Sequence, residues 1–369
     1  MSRFLDSLSA SVQLTGEEKA VLAQAGVTSH EDLHSLTVGF RHSLARAGVR
    51  VPLLSSIAVR HLAGSYAAGM TAAATQPLPS LGAVHPPGTQ WNINSVVQAL
   101  PAGSTSAQVA QPAGATAIDL RQGINWRIMN QGQRGTCVSF ASTACVELTQ
   151  AGAGAAPQDF SEQFLYWAIK TGTADPRPNQ DGTYLEFARD ALAQIGICNE
   201  ADWPYNPTFI PGNVSQAGNG NPSIGAQTNA AANQPAAHSY QQFTVPGTGA
   251  AAVLQQLQNG RPVAIGVPVF SDDPMVAGNN WTTPVAWAYG RVLNPPPTSV
   301  AKDGHAVCVV GYEPDPNEPL GGWFVFRNSW DTLWAAQAPS PGNSYSPAPG
   351  YGDLSATYVD TYMWEMLVL

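Results

Sequence analysis

Apolar residues recur at helical spacing along the earlier part of the chain and gather into continuous β-type runs nearer its end. LTGEEKAVLAQAG combines Thr15 and Glu18 as a capping box with Val21, Leu22 and a stop at Gly26. TSHEDLHSL, FRHSLARAG and VPLLSSIAVRHLAG repeat the pattern, the last with Pro52 near its start and Gly64 at its end. Four short helices over residues 1–70 predict a small all-α domain. Residues 137–150, 161–170 and YLEFARDALAQIG read as further helices, as does VLQQLQNG. PVAIGVPVF, HAVCVVGY and WFVFRN then read as strands. Helices followed by strands predict an α+β protein in two lobes.

Charge divides the chain differently. Residues 65–116 carry no Asp, Glu, Lys or Arg, and residues 71–116 read as an Ala/Gly/Pro/Ser-rich linker. Within it, QWNINSVVQAL has apolar residues able to dock on a neighbouring surface. A second uncharged stretch follows Trp203, and about 206–237 reads as a low-complexity surface insertion in a domain spanning 117–369. The formal net charge of −9 argues against a nucleic-acid partner. No apolar run is long enough to span a membrane, and the N-terminus lacks the apolar core of a signal peptide. Cytoplasmic residence is the default expectation, with signal-independent export the other route. Four scattered cysteines predict neither a disulfide framework nor a zinc site. His30, His34, His42 and His61 have no partner spacing and read as surface or cap residues.

One cysteine stands apart. In NQGQRGTCVSFAS, Cys137 opens a helix whose predicted inner face is Phe140, Ala141, Ala144, Cys145 and Leu148. A helix N-terminus offers unpaired amide N–H groups and partial positive charge, which favour a thiolate. Cys145, deeper in the same helix, reads as inert core.

A thiolate nucleophile needs an imidazole. His238 lies in the low-complexity stretch, whereas His305 opens the strand HAVCVVGY. Pairing that strand with WFVFRN in the simplest hairpin register sets Val310 opposite Trp323 and His305 opposite Asn328. The Asn328 amide oxygen would then fix the imidazole tautomer, and Trp330 would shield the bond from water. Gln131, or alternatively Gln133, is placed to donate to an oxyanion together with the Cys137 backbone N–H.

These residues resemble the papain-like (C1) cysteine peptidases. The family's Gln-Gly-x-x-Gly-[Ser/Thr]-Cys block is similar to Gln131–Cys137, its His-Ala-Val block to His305–Tyr312, and its Asn-Ser-Trp block to Asn328–Trp334. SEQFLYWAIK resembles the family's helix near the cleft, and GICNEADWPY a stretch common in its bacterial-type branch. The resemblance runs from about Ile118 to the end. It implies a helical lobe and an antiparallel β-barrel-like lobe, with Cys137 as nucleophile, His305 as base and acid, Asn328 as orienter, Gln131 as oxyanion donor and Trp330 in support. Asp181, Gly182 and Thr183 fall where the family lines its substrate cleft. Val138 replaces the usual aromatic, Arg134 replaces a cysteine of the family's nearby disulfide, and Asp331 and Leu333 stand where glycines are usual.

The expected activity is hydrolysis of peptide bonds in a peptide or protein substrate, without a metal or organic cofactor. The family's propeptide pattern is missing from residues 1–116. These residues are expected either to inhibit, with QWNINSVVQAL over the cleft of a zymogen, or to serve as a helical adaptor for a protein partner. A non-catalytic peptide-binding protein on the same scaffold is the alternative.

Overall fold

The computed structural model describes residues 80–86, 116–121, 124, 126–208, 220–235, 239–271, 279–282, 286–287, 290–292, 294–295, 299–315, 318–336 and 348–369. The predicted all-α domain over 1–70, QWNINSVVQAL and His238 lie outside the described residues.

The centre of the fold is α1 (Cys137–Gly152), buried on every side from Cys137 to Leu148 rather than along one stripe. Ser139, Ser142 and Thr143 gave it an amphipathic look in sequence, but their small side chains also allow close packing. Helices α2 (Glu162–Gly172) and α3 (Leu185–Gln194) flank it. The Ser161 hydroxyl caps α2 by accepting from the Phe164 N–H. The uncharged stretch contributes α4 (Ile224–Ala232), capped by Ser223. Ala226 and Ala230, one turn apart, are buried in the same core as α1, so this part of the stretch is packed structure.

The remaining strands are β1 (Ile118–Asp119), β2 (Ser239–Gln242), β3 (Val263–Ser271), β4 (Arg291–Val292), β5 (Val300–Pro314), β6 (Gly322–Arg327), β7 (Tyr351–Ser355) and β8 (Glu365–Val368). Helix α5 (Gly249–Gln258) precedes β3, and α6 (Ala356–Tyr362) joins β7 to β8. The sheet runs β2-β8-β3-β5-β6-β7-β4, with β1 added beside β5. This corrects the expectation of an antiparallel barrel-like lobe. Among the described residues the end strands β2 and β4 share no ladder, so the sheet is open. Closure would need those edges to pair. The β4–β7 pair is also parallel.

The β5–β6 hairpin departs from its predicted register. Trp323 pairs with Glu313 rather than Val310, and Cys308 pairs with Arg327. An irregularity between Val309 and Gly311 adds one residue to β5, which no simple pairing rule anticipates. The ladder ends at Arg327, and Asn328 turns out of the strand with its N–H on the Gly350 carbonyl.

Two apolar cores result. The first surrounds α1 to α4; the second lies between the sheet and α5 and α6. Strand β5 supplies both, with Ala306, Cys308 and Val310 in one and Val307 and Val309 in the other. That alternation fixes the rotation of β5, in which His305 is an interior residue rather than the first. Arg327 ties β6 to α1 through a buried 2.6 Å ion pair with Glu147. It also donates to the Arg127 carbonyl. Removing one partner of such a pair typically costs about 3–5 kcal/mol because the other charge is stranded.

Candidate active site

Cys137 begins α1 directly after the loop 130–136, and several bonds hold that loop. The Gln131 N–H donates to the Ser329 carbonyl at 2.9 Å, and the Ser329 hydroxyl donates to Gln131 Oε1 at 2.6 Å. The loop is thereby fastened to the Asn328–Trp330 segment. Arg134, buried, donates to Gln163 Oε1 at 2.9 Å and lies 4.7 Å over the Tyr205 ring. Gly135 N–H donates to Asp181 Oδ2 at 2.7 Å, and the Tyr166 hydroxyl donates to Asp181 Oδ1 at 2.7 Å. A guanidinium and a carboxylate thus brace the loop in a chain whose Arg134 stands at a disulfide position of the resembled family.

His305 Nε2 lies 2.8 Å from Asn328 Oδ1. The same oxygen accepts from the Ser329 N–H at 2.9 Å, so it is an acceptor and the imidazole carries its proton on Nε2. Nδ1 has no hydrogen-bond partner among the described residues. The predicted pairing of imidazole and amide is therefore present even though the strand register that suggested it is not. Trp330 lies against the imidazole, with ring centroids 4.6 Å apart and planes 31° apart. Trp281 meets the ring edge-on at 5.1 Å. Sequence reasoning missed Trp281, which stands in a stretch with no periodic pattern.

Asp181, Gly182 and Thr183 are also near this centre, in different roles. Asp181 faces the loop before Cys137 rather than open space. Lys170 and Asp175 form a buried pair at 2.8 Å; Lys170 donates to the Gly182 carbonyl at 2.5 Å, and the Thr183 hydroxyl donates to Asp175 at 2.9 Å. These bonds leave the Thr183 backbone N–H and carbonyl free to pair outward.

A segment of the uncharged N-terminal stretch takes up that pairing. Thr183 N–H donates to the Gly82 carbonyl and Val84 N–H to the Thr183 carbonyl, both at 2.9 Å, a parallel bridge centred on Ala83. Gly82 and Ala83 N–H groups donate to the Gly304 carbonyl at 3.1 and 3.2 Å. Ser80 N–H donates to the Gly132 carbonyl at 3.1 Å, and Gln131 Nε2 donates to the Ser80 carbonyl at 2.7 Å. His85 packs edge-on against Trp364 at 5.1 Å. A Cβ on Gly82 would lie 2.2 Å from the Gly135 carbonyl oxygen, so only glycine fits there. Residues 80–86 thus lie across Gln131, Gly135, Thr183 and Gly304.

Burial reverses the expected electrostatics. Cys137 has no exposed surface, and burial pushes its thiol up to about 12. Nearby backbone N–H groups of Ala306 and Gly82 pull the other way but do not prevail. Burial lowers His305 to about 4, against the Asn328 bond, which raises it. Thiol and imidazole are both neutral at pH 7. The helix terminus predicts a lowered thiol, but desolvation outweighs that field in this structure. Gln133 is exposed, whereas Gln131 is buried and directed at a carbonyl. Among the described residues no group of three or more His, Cys, Asp or Glu is arranged to hold a metal, and no helix is long and apolar enough to cross a membrane.

Residues 114–338 match the family model described as papain family cysteine protease. No curated protein sequence matches the chain. Among solved structures, xylellain, a cysteine protease from Xylella fastidiosa, aligns over 79% of this chain and 94% of its own, at 19% identity and a TM-score of 0.50. The Carica candamarcensis cysteine protease CMS1MS2 aligns over 69% and 97% at 23% identity, with a TM-score of 0.43. Digestive procathepsin L 3 of Tenebrio molitor aligns over 99% of both chains at 16% identity, with a TM-score of 0.46. The family match covers more than half of this chain and includes Cys137, His305 and Asn328. The protein belongs to the papain family of cysteine proteases and is a cysteine peptidase with a Cys-His-Asn mechanism.

Proposed function

We propose that Cys137 is the nucleophile of an endopeptidase, His305 its base and acid, Asn328 the residue that orients His305, and Gln131 the oxyanion donor. The observation that carries this is the His305–Asn328 bond, which commits Nε2 and leaves the Nδ1 lone pair unengaged. With residues 80–86 withdrawn, Nδ1 takes the Cys137 proton as sulfur attacks a substrate carbonyl. Gln131 Nε2, now released from Ser80, donates to the developing oxyanion. His305 then protonates the leaving amine, and water hydrolyses the acyl-enzyme by the same relay. Trp330 and Trp281 keep water from the His305–Asn328 bond. Thr183 and Gly304 offer substrate the backbone groups that now hold residues 82–84, with Gly182 beside them.

Residues 80–86 act as an inhibitory strap in this reading, so the full chain is a zymogen. The bond from Gln131 to Ser80 supports this, because it uses the oxyanion donor itself. The backbone bonds of residues 80–86 to Gly132, Thr183 and Gly304 support the strap as the inhibitory segment, and QWNINSVVQAL lies outside the described residues. GICNEADWPY further supports a place in the family's bacterial-type branch. A protein partner that binds the N-terminal region and draws the strap away would activate the enzyme.

Mass spectrometry of a peptide library incubated with wild type and Cys137→Ala tests the assignment. Internal cleavages by wild type, lost in Cys137→Ala, are expected once the strap is displaced. A library left intact by the strap-displaced chain would instead indicate a peptide-binding protein without turnover.

A further inference from the structure

Cys137 is used by the mechanism, but two other cysteines lie close behind it. Cys145 Sγ and Cys308 Sγ are 3.1 Å apart, and both residues are fully buried. Cys145 sits two turns along α1 from Cys137, and Cys308 sits three positions along β5 from His305. Both thiols are free in this structure. A disulfide has sulfurs about 2.05 Å apart, so closing the pair needs an approach of about 1 Å.

We propose that Cys145 and Cys308 are an oxidisable pair that closes into an interior disulfide, joining the helix that carries Cys137 to the strand that carries His305. The oxidant is a low-molecular-weight disulfide of the glutathione class. One cysteine thiolate attacks a sulfur of that molecule, forming a mixed disulfide and expelling one small thiolate. The second cysteine loses its proton and attacks the protein sulfur of the mixed disulfide, expelling the other small thiolate. Two protein thiols are oxidised, the small disulfide is reduced to two thiols, and the two released protons go to them.

Burial determines when this happens. Desolvation pushes the Cys145 thiol well up, so the folded protein holds it in its unreactive form, away from solvent. Exchange therefore belongs to the incompletely folded chain, before α1 settles on β5. Once formed, the bond is shielded from reductants by the same packing. The two cysteines are 163 positions apart, so the link constrains a large part of the unfolded chain. Its effect is to hold together the two elements whose relative placement defines the active site.

The test uses the full chain as Cys137→Ala, which prevents self-cleavage and removes the reactive thiol. It is refolded in a glutathione redox buffer, or with reductant alone, then denatured in an alkylating agent and digested without reduction. The expected result is one linked peptide joining Cys145 to Cys308, lighter by two hydrogens than its reduced halves, with Cys198 alkylated. The oxidised protein should melt on the order of 10 °C higher than the reduced one. Reductant should leave the link intact in the folded protein and remove it in denaturant. Alkylation of both Cys145 and Cys308 after oxidative folding would overturn the proposal, as would links to Cys198 at equal yield. If the refolding yield is poor, the same digest on chain produced in an oxidising host compartment gives the same reading. In Cys145→Ala, Cys308 is expected to alkylate fully.

Discussion

Gln131 Nε2 and the Ser80 carbonyl oxygen are 2.7 Å apart, so the group assigned to stabilise a substrate's oxyanion is engaged by the protein's own chain. Around that bond, Gly82 and Ala83 use the Gly304 carbonyl, and Thr183 is paired on both sides of Ala83. On the proposed zymogen reading, catalysis requires a change in residues 80–86 more than any change in the catalytic residues.

Gly82 is the weak point of the strap. A side chain there would meet the Gly135 carbonyl at 2.2 Å, against backbone that cannot swing away. Full-length Gly82→Val is expected to hydrolyse a small peptide amide at least about tenfold faster than wild type. Equal rates, measured with both proteins confirmed uncleaved by mass, would contradict inhibition by the strap.

Asn328 holds the imidazole through its side-chain oxygen. In the Gly82→Val background, Asn328→Ala is expected to lower kcat roughly 10–100-fold with little change in KM, because the tautomer and ring orientation are lost. Steady-state kinetics separate this from a binding defect, which would raise KM instead.

Asp181 accepts from both Gly135 and Tyr166. Asp181→Ala strands two donors next to Cys137 and is expected to cost about 1–3 kcal/mol of stability. Asp181→Asn, which keeps one acceptor oxygen, should recover part of it. Urea unfolding of the three proteins checks the order wild type, then Asn, then Ala.

Glu365 gives the fold a pH signature. Burial raises its carboxyl from 4.5 to about 8, while Leu185 N–H and the Tyr240 hydroxyl donate to it. Between those values the folded chain keeps a proton that the unfolded chain has lost. Its contribution is fully present below pH 4.5 and is lost as pH rises through 8. Glu365→Gln cannot ionise, so its stability advantage over wild type should grow from pH 5 to pH 9, reaching about 2 kcal/mol or more. Melting curves at the two pH values test this; a constant difference would show that Glu365 does not titrate there.

Much of the site was legible in sequence because its chemistry is local. Gln131 lies in the loop that leads into Cys137, and His305 and Asn328 both lie at the open end of one hairpin. The hairpin argument reached the right pair through the wrong register, since Asn328 leaves the ladder to meet the imidazole. The long-range features were not legible. Residues 80–86 bind largely through backbone groups, which leave no pattern in side-chain identity. The open sheet depends on which edges fail to meet, and β7, α6 and β8 come from a C-terminal run without clear periodicity. Cys145 was read correctly as core, but its partner on β5 is set by the packing of α1 on the sheet.

The central claim is that Cys137 is a nucleophile held off by residues 80–86. Peptide-resolved rates of Cys137 modification by an epoxide electrophile at pH 7 test it directly, in full-length wild type and Gly82→Val, with Cys198 as internal reference. In the strapped chain the thiol lies near 12 and the imidazole near 4, so modification should be slow. Gly82→Val should label Cys137 at least about 100-fold faster, far ahead of Cys198. Labelling of Cys137 at the same rate in both proteins, and no faster than Cys198, would contradict the account.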